Sequence, residues 1–477
     1  MRKAVVVLGA GVGGLSAAIH ARLKGHDVLV LEQREVPGGK AASISTHGFR
    51  LDPGPSIIIL PEVYEAVFKA AGRKMSDYLQ FVRLDPITRV FFEGQEAIDL
   101  PGDRQGCERL VSSFGAKDGE NFKGMFERFD KIVPLVHETI FDHPIDQWWQ
   151  FASPKFIKMG LGMSLQGNYR QQIDKWFESP LLRAFFYGFP SYSGQSLDGT
   201  GAGALFIPYF MIAGGVFYPV GGVGQIPSAL YKLATELGVE FRFNTKVTGL
   251  NVTNGQVKSA TLENGEQVQF QTLISNLDRT TVQGMLGTPS SNAPSFSYFT
   301  LHYGLPRTFP DLKHHSLFIP KNYVQSFEDL YDARNFPGEP IVYVNETTEL
   351  DPEGAPPGTS NFFAVVTCPA EEQHLDWKTL QSKAKDQTRS VLQKFGIDLS
   401  EPIFERVQTP MTFRERDGNY RGSLYGEDEK HRPFKGMLPH PNRDPKIKNL
   451  IYCGGSVQPG AGLPMVTLSG KFAANLI

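Results

Sequence analysis

The chain has 477 residues, a net charge of −2 and a pI near 6.6, with 41% apolar and 21% charged residues. This composition is typical of a globular protein of two or three domains, and it excludes the strongly basic character of nucleic-acid-binding proteins. The three cysteines, Cys107, Cys368 and Cys453, lie far apart, so we expect no disulfide framework, no metal site and a reducing compartment. The first apolar run starts almost at once, which predicts no signal peptide.

The first forty residues predict a strand, a glycine loop, a helix and a second strand. Residues 3–8 are an apolar run rich in valine, and residues 9–14 (GAGVGG) form the glycine loop. Residues 15–23 carry apolar side chains at helical spacing, and residues 28–31 form the next apolar run, which leads into Glu32. This order is typical of a Rossmann-type dinucleotide-binding unit, so the pattern predicts an α/β fold.

Each glycine of the loop has a separate physical role. Gly9 permits the tight turn, Gly11 lets the backbone approach a pyrophosphate, and Gly14 lets the helix pack closely on the strand. We count Gly13 of the same loop among the cofactor-binding residues. The helix N-terminus offers free N–H groups to phosphate, and Glu32, 21 residues after Gly11, predicts an acceptor for both ribose hydroxyls.

A second pair of glycines extends this motif. Residues 33–40 read QREVPGGK, and residues 48–60 (GFRLDPGPSIIIL) contain a strand pattern and a turn. Together these segments resemble the FAD-binding signature of the amine oxidase and carotenoid desaturase superfamily. The resemblance implies that FAD is the cofactor, that Lys40 lies beside the diphosphate and that the turn runs back toward the flavin ring. The cofactor-binding residues that it implies here are Gln33, Gly39, Lys40, Gly54, Pro55 and Ser56.

Regular β/α alternation stops after a predicted helix at residues 61–75. Two short strands are expected at residues 81–85 and 89–94, followed by an amphipathic helix at residues 104–140. We expect this insertion to form a helical cap over the flavin.

Residues 141–190 combine aromatic and basic side chains. That mixture suggests a helix in a membrane interface, and the alternative is a cap helix packed on its own domain with its lysines in water, since tryptophans are often core residues. The side chains concerned are Trp148, Trp149, Phe151, Lys155, Phe156, Ile157, Lys158, Met159, Leu161 and Met163.

Residues 199–231 contain no charged side chain. Residues 202–220 are apolar and long enough to cross a bilayer, but glycines and prolines interrupt them and no basic cluster flanks them, so we reject a membrane span. We expect this stretch to line an internal tunnel, with hydrophobic core on its other side. The aromatic and sulfur-containing side chains are Phe206, Tyr209, Phe210, Met211, Phe217 and Tyr218.

Residues 225–237 predict a helix, residues 239–243 and 272–276 predict strands, and residues 246–270 predict a meander with Asn-Gly turns. In the superfamily that the chain resembles, the residue at Val247 holds the adenine through its backbone.

The second half of the insertion predicts one wall of the site. Strands are expected at residues 298–303, 341–345 and 362–367, and a helix at residues 377–395. The adjacent residues His314 and His315 are expected to be solvated in a polar loop.

The last segment predicts a strand at residues 449–453, a second glycine loop at residues 459–462 and a final helix from Leu463. The positive end of that helix suits the flavin edge that becomes negative on reduction. The cofactor-binding residues predicted here are Gly455, Gly462 and Met465.

Taken together, the motifs resemble the bacterial-type phytoene desaturase family of carotenoid desaturases. The resemblance implies a Rossmann-like FAD-binding domain with an inserted α+β substrate domain and helical cap. Residues 1–75, 216–280 and 441–477 would form the FAD-binding domain, and residues 76–215 and 281–440 the inserted domain.

The activity that the resemblance implies is FAD-dependent desaturation of an acyclic carotenoid, either phytoene-like or 1-hydroxylated. It also implies a polyene substrate, oxygen or a quinone as electron acceptor, and peripheral attachment to the cytoplasmic face of the membrane. No residue is nominated as catalytic. The alternatives are a carotenoid oxygenase or ketolase, a saturase, an amine oxidase, and a non-enzymatic prenyl-lipid-binding relative.

Overall fold

The computed structural model describes residues 4–145, 148–163, 168–194, 196–198, 202–428 and 439–477. The predicted first residue of the first strand, Lys3, lies outside the described residues, as do the side chains of Trp148 and Met163.

The helices of the described residues begin and end as follows: α1 (Val12–Leu23), α2 (Pro61–Ala70), α3 (Arg104–Phe114), α4 (Ala116–Val136), α5 (Pro154–Met163), α6 (Tyr169–Trp176), α7 (Pro180–Phe186), α8 (Phe206–Gly214), α9 (Gln225–Glu236), α10 (Arg279–Met285), α11 (Tyr323–Phe327), α12 (Trp377–Lys394), α13 (Pro410–Asp417) and α14 (Leu463–Asn475).

The strands of the described residues are β1 (Ala4–Leu8), β2 (Asp27–Leu31), β3 (Ile44–Thr46), β4 (Phe49–Leu51), β5 (Phe81–Arg83), β6 (Thr88–Phe92), β7 (Ile98–Leu100), β8 (Phe217–Pro219), β9 (Glu240–Arg242), β10 (Val247–Thr253), β11 (Gln256–Leu262), β12 (Gln267–Gln269), β13 (Thr272–Ser275), β14 (Ser297–Leu305), β15 (His315–Ile319), β16 (Val342–Glu346), β17 (Ser360–Cys368), β18 (Phe404–Gln408) and β19 (Leu450–Tyr452).

A five-stranded parallel sheet holds the two ends of the chain together. Its strand order is β19-β13-β1-β2-β9, so β1 lies at its centre between β13 and β2, and the last strand, β19, lies at one edge. Parallel strands buried on both faces are near-continuous apolar runs, and β1 (AVVVL) fits that rule. Helices α1, α9 and α14 pack on this sheet through one apolar core. The predicted Rossmann-like α/β fold is confirmed.

A seven-stranded mixed sheet forms a second layer, with the order β18-β14-β17-β16-β15-β6-β7. Its strands alternate between two faces. On β14, Phe299 and Leu301 join a core that is covered by α12, whereas Tyr298 and Thr300 face the opposite side. This alternation follows from the two-residue period of a strand. One face of the sheet is therefore a packed core, and the other is the wall of a cavity.

Helices α3 to α8 cover the cavity opposite this wall. The single helix predicted at residues 104–140 is wrong, because the chain breaks at Gly115 into α3 and α4. The backbone of Gly115 is extended, and α4 ends at Val136 in a π-type turn that runs to Phe141. The predicted helix at residues 61–75 is also too long, since it ends at Ala70.

The other predicted strands and the helices α9 and α12 lie within a few residues of their expected bounds. No helix among the described residues combines the length and apolar character that a bilayer crossing requires. The domain boundaries stay a prediction.

Candidate functional site

A cavity of about 920 Å³ extends from the glycine loop, past the seven-stranded sheet, to the helical cap. It brings together all but one of the residues that the sequence nominated as cofactor-binding. Those that line it are Gly9, Gly11, Gly13, Glu32, Gln33, Gly39, Lys40, Gly54, Pro55, Ser56, Val247, Gly455, Gly462 and Met465. We call the part that contains Gly9, Gly11 and Glu32 the nucleotide end.

The exception, Gly14, does not line the cavity and serves packing instead. A Cβ atom at this position would lie 2.0 Å from the carbonyl oxygen of Gly9. Such a contact is far shorter than the van der Waals distance. The Gly9 oxygen belongs to the backbone, so no side-chain movement can relieve the clash. Gly14 therefore allows α1 to start directly against the strand that precedes it, the role the sequence predicted.

Two helix N-termini open into the nucleotide end. Helix α1 starts after Gly11 and helix α14 after Gly462, and no described side chain caps either of them. Their first N–H groups have no intrahelical partner, and the helix dipoles place partial positive charge there. The two ends therefore suit a diphosphate and the electron-rich edge of a flavin.

Glu32 is buried at the end of β2 and is held by the backbone. Its Oε2 atom accepts a hydrogen bond of 2.7 Å from the Ala10 N–H group, and Oε1 accepts one of 2.9 Å from the Arg34 N–H group. Each carboxylate oxygen has a second lone pair. The carboxylate is thus fixed in place while it retains the capacity to accept ribose hydroxyls.

Lys40 lies half-buried in the cavity wall. Its Nζ atom donates a hydrogen bond of 3.2 Å to the Leu424 carbonyl oxygen. Burial lowers the pKa of the Lys40 amino group, and the nearby carboxylates of Asp417 and Asp278 oppose that shift. Its position beside the diphosphate stays a prediction.

Sequence reasoning missed Asn276. This residue follows β13 and lines the nucleotide end, with its amide against the glycine loop. A Cβ at Gly11 would lie 2.6 Å from Asn276 Nδ2, and one at Gly13 would lie 2.6 Å from Asn276 Oδ1. The sequence did contain a signal for Asn276, because this residue directly follows the buried apolar run at residues 272–275. Ligands of parallel sheets bind at the carboxyl ends of such strands.

The opposite part of the cavity, the apolar end, is built largely from aromatic and aliphatic side chains of the cap. Of the predicted tunnel residues, Phe206, Phe210 and Met211 line it. Tyr209 does not, because its hydroxyl donates to Asp130 at 2.7 Å. Phe217 and Tyr218 are also absent from the described lining, so the tunnel prediction is wrong for these three residues. Other members of the apolar end are Ile140, Phe141, Phe185, Phe189, Ile207 and Leu330.

The expectation that His314 and His315 are solvated is wrong. Both rings are buried, because β15 lies inside the sheet between β6 and β16. Burial lowers the pKa of His314 to about 3 and lowers that of His315 well below its usual value. Both rings are therefore neutral at physiological pH.

His315 lines the cavity and belongs to a polar chain that sequence reasoning did not find. The Ser56 Oγ atom lies 2.8 Å from the Tyr343 hydroxyl, which lies 2.6 Å from His315 Nδ1. These three residues, which we call the hydroxyl–histidine chain, are separated by up to 287 positions in the sequence. Only the pairing of β15 with β16 brings the last two together.

The cavity fits FAD by its own chemistry. The glycine loop lies so close to Asn276 that Cβ atoms at Gly11 and Gly13 would fill the space beside it, which we call the cradle. Two uncapped helix N-termini face this space, and Glu32 closes the nucleotide end. Among the described residues, no group of three or more histidine, cysteine, aspartate or glutamate side chains is placed to hold a metal ion.

Comparison with known proteins agrees with this geometry. A family model described as flavin containing amine oxidoreductase matches residues 12–477. The chain belongs to the flavin-containing amine oxidoreductase family. It is accordingly an FAD-dependent oxidoreductase, and the predicted cofactor is confirmed.

The relatives confirm the resemblance to carotenoid-modifying enzymes of this family. A 1-hydroxycarotenoid 3,4-desaturase from Flavobacterium sp. (strain P99-3) is 30% identical over 100% of this chain and 99% of its own. A 4,4'-diapolycopene oxygenase from Methylomonas sp. is 30% identical over 99% and 97%. An oxidoreductase structure from Methanosarcina mazei has a TM-score of 0.66 at 18% identity and covers 98% of each chain, which shows the shared fold.

Proposed function

We propose that this protein is an FAD-dependent desaturase of an acyclic carotenoid. The observation that carries the proposal is the continuity of the nucleotide end with a long aromatic and aliphatic apolar end in one cavity of about 920 Å³. A linear, methyl-bearing polyene has no polar groups, so it suits such an aromatic and aliphatic wall. The names of the relatives support the same substrate class.

In this proposal the chain holds FAD with the residues that line the nucleotide end. The N-terminus of α1 receives the diphosphate, Glu32 the ribose, and the Val247 backbone the adenine. The N-terminus of α14, at Gly462 and Met465, faces the flavin. When bound, FAD supplies the capacity to accept a hydride, and the aromatic wall orients the polyene and excludes water.

We also propose that the protein attaches to a membrane surface through α5. This helix buries Phe156 and Met159 against the cap, but it leaves Ile157 50% and Leu161 77% exposed. Trp149, in the turn before it, is 55% exposed. Exposed apolar and tryptophan side chains together with lysines are typical of an interfacial helix.

The position of α5 supports this attachment. It packs on α4, and Thr139, in the turn that leads from α4, places its Oγ1 atom 3.3 Å from Met159 Sδ while it donates to the Leu135 carbonyl oxygen at 2.5 Å. The neighbouring residues Ile140 and Phe141 line the apolar end. The exposed side chains of Trp149, Ile157 and Leu161 are thus separated from the cavity wall by one layer of packed residues. This position suits a substrate that enters from the cytoplasmic face of a bilayer. Oxygen or a membrane quinone would then reoxidise the flavin.

Two alternatives keep the same fold. The similarity to a diapolycopene oxygenase supports oxidation of a carotenoid end group as the second candidate. An amine oxidase is disfavoured because the described carboxylates of the cavity lie with the nucleotide end and none lies among the cap side chains of the apolar end. The carboxylates concerned are Glu32, Asp278, Glu415 and Asp417.

Pigment chromatography tests the proposal. The gene is expressed in a host that accumulates phytoene or later acyclic carotenes, with the empty vector and the Glu32→Ala variant, which lacks the proposed ribose acceptor, as controls. New pigments with longer conjugation, absent with the empty vector and reduced in the variant, are the expected result. Pigments with oxidised end groups at unchanged conjugation would instead favour the oxygenase.

A further inference from the structure

We propose that the hydroxyl–histidine chain, Ser56–Tyr343–His315, is the proton acceptor of the desaturation reaction. The inference deepens the proposed function and rests on it. Desaturation removes two hydrogens from neighbouring carbons, and only one of them leaves as a hydride. An apolar cavity provides no bulk water for the second, so a protein group at the cavity wall has to take the proton.

The chain has the geometry of a relay. Ser56 and Tyr343 both line the cavity, and their hydroxyl oxygens are 2.8 Å apart. The Tyr343 hydroxyl continues to His315 Nδ1 at 2.6 Å, within the range of a normal hydrogen bond. The imidazole also lines the cavity and is otherwise buried within the sheet. A proton that arrives at either hydroxyl therefore has a continuous hydrogen-bonded path to a nitrogen base.

The chain also lies next to the cofactor cradle. A Cβ at Gly39 would lie 3.3 Å from the Gly11 Cα atom, and one at Gly54 would lie 1.9 Å from the Lys40 carbonyl oxygen. The glycine loop, the second glycine pair and the turn before Ser56 are thus in successive backbone contact. Ser56 therefore directly follows the segment that adjoins the glycine loop, and it lines the same cavity as the side chains of the apolar end.

The carboxylates of the described cavity wall already have partners. The Glu32 carboxylate accepts two backbone N–H groups, Asp417 is paired with Arg416 at 2.7 Å, and Glu415 with Arg414 at 3.3 Å. Asp278 caps α10 by accepting from the Thr280 N–H group at 2.9 Å, and it lies with Asp417 beside Lys40. His315 is the histidine of the described lining, and it stands on the sheet wall rather than at the nucleotide end.

The step balances as follows. FAD, when bound, would supply the oxidant: it would accept one hydrogen of the polyene as a hydride, with the pair of electrons of the broken C–H bond. The C–H bond on the adjacent carbon then breaks, its electron pair becomes the new π bond, and its proton goes to a chain hydroxyl. That hydroxyl passes its own proton onward, so the net acceptor is His315 Nδ1. Nδ1 carries the acceptor lone pair in the Nε2–H tautomer of the neutral ring, the tautomer in which it accepts from the Tyr343 hydroxyl. Burial lowers the pKa of His315, and the very acidic polyene cation needs only a weak base.

Two variants and one control test the relay. Tyr343→Phe removes the middle of the chain at almost constant volume, and His315→Gln retains hydrogen-bonding atoms but cannot store a proton. The control is His302→Gln, because His302 is a buried histidine of β14 that stacks on Phe363 and is not among the lining residues. Anaerobic stopped-flow mixing with phytoene in detergent micelles measures the rate of flavin bleaching in the holoenzyme.

Because the polyene cation can recapture the hydride until its proton has left, loss of the acceptor slows net bleaching. We expect both chain variants to bleach about 10²- to 10⁴-fold more slowly than the wild type, the usual contribution of a positioned proton acceptor. FAD content and the Kd for phytoene should change less than twofold, and His302→Gln should bleach at the wild-type rate. Equal bleaching rates in the wild type and both chain variants would overturn the relay while leaving the proposed function intact.

Nitrogen NMR of the histidine-labelled holoenzyme adds a readout that does not depend on turnover. His315→Gln should remove one Nδ1 resonance, and Tyr343→Phe should shift that same resonance. A shift of a different resonance, or no shift, would overturn the hydrogen-bonded chain. If phytoene and later acyclic carotenes fail to bleach the wild type, the proposed function fails, and the relay falls with it even if the resonance shifts as expected.

Discussion

Gly470 lies where α14 crosses α1, and its replacement by alanine tests how tightly the last helix supports the cofactor cradle. A Cβ at this position would lie 2.3 Å from the Gly13 carbonyl oxygen and 2.7 Å from the Ala17 backbone nitrogen. Both partners are backbone atoms of α1, so the two helices have to separate by about 1 Å to restore contact distances. Overpacking of this kind costs about 2 kcal/mol of the free energy of unfolding.

The expected shift in the melting temperature is small, so the assay needs a matched control. For 477 residues the entropy of unfolding is about 1 kcal/mol/K, and 2 kcal/mol lowers the midpoint by only about 2 °C. Gly124→Ala in α4 is the control, since its Cβ would meet nothing within 4 Å. That substitution should stabilise the protein by about 0.5–1 kcal/mol through helix propensity.

Gly470→Ala should also weaken FAD binding. The clash falls on Gly13, in the first turn of α1, so it displaces the N–H groups that are proposed to hold the diphosphate. We expect about a tenfold rise in the FAD dissociation constant, equivalent to about 1.4 kcal/mol. Urea unfolding and flavin fluorescence titration measure the two effects. A Gly470→Ala protein as stable as Gly124→Ala, with unchanged FAD affinity, would refute the reasoning.

Three further predictions concern the cradle, the buried histidines and the membrane patch. Glu32→Ala leaves two backbone N–H groups unpaired, so the FAD dissociation constant measured by fluorescence titration should rise about 10- to 100-fold, and the exposed Glu35→Ala should leave it unchanged. Burial lowers the pKa of His302 to about 3, against about 6.5 in the unfolded chain. The unfolded state therefore binds more protons below pH 6.5, and the protein loses stability as the pH is lowered from 6.5 toward 3. The loss is about 2 kcal/mol at pH 5, and His302→Gln should remove that part of the pH dependence of the urea midpoint; an unchanged dependence would contradict the assignment. Leu161→Glu should reduce flotation with anionic vesicles severalfold, whereas Ile403→Glu, at an exposed site far along the chain, should not; equal flotation would rule out α5 as the contact.

The first βαβ unit could be predicted because its signals are local. The glycine loop, the helix after it and the acid at Glu32 lie within one short segment, and each residue type has its own steric or electrostatic reason. The same holds for the last strand and helix, where the second glycine loop precedes Leu463. The structure adds that these two local units pack against each other, with Ser16 Oγ donating to the Thr467 carbonyl oxygen at 2.6 Å.

The hydroxyl–histidine chain could not be predicted because it depends on long-range strand pairing. His315 follows a lysine and another histidine, and that polar neighbourhood is typical of an exposed loop. Its burial comes from β6, more than 200 residues earlier, and from β16 on the other side. The break at Gly115 was missed for a related reason, because the apolar pattern continues through it and only the packing of α3 on α4 requires a turn there.

The central claim is that the apolar end of the cavity presents a polyene to bound FAD. The most direct test mixes the purified holoenzyme anaerobically with phytoene in micelles and, separately, with putrescine, and then records the flavin spectrum and extracts the pigment. The account predicts bleaching by the polyene alone, together with a product whose conjugated system is longer than that of phytoene. Bleaching by the amine and not by phytoene or later acyclic carotenes would contradict it.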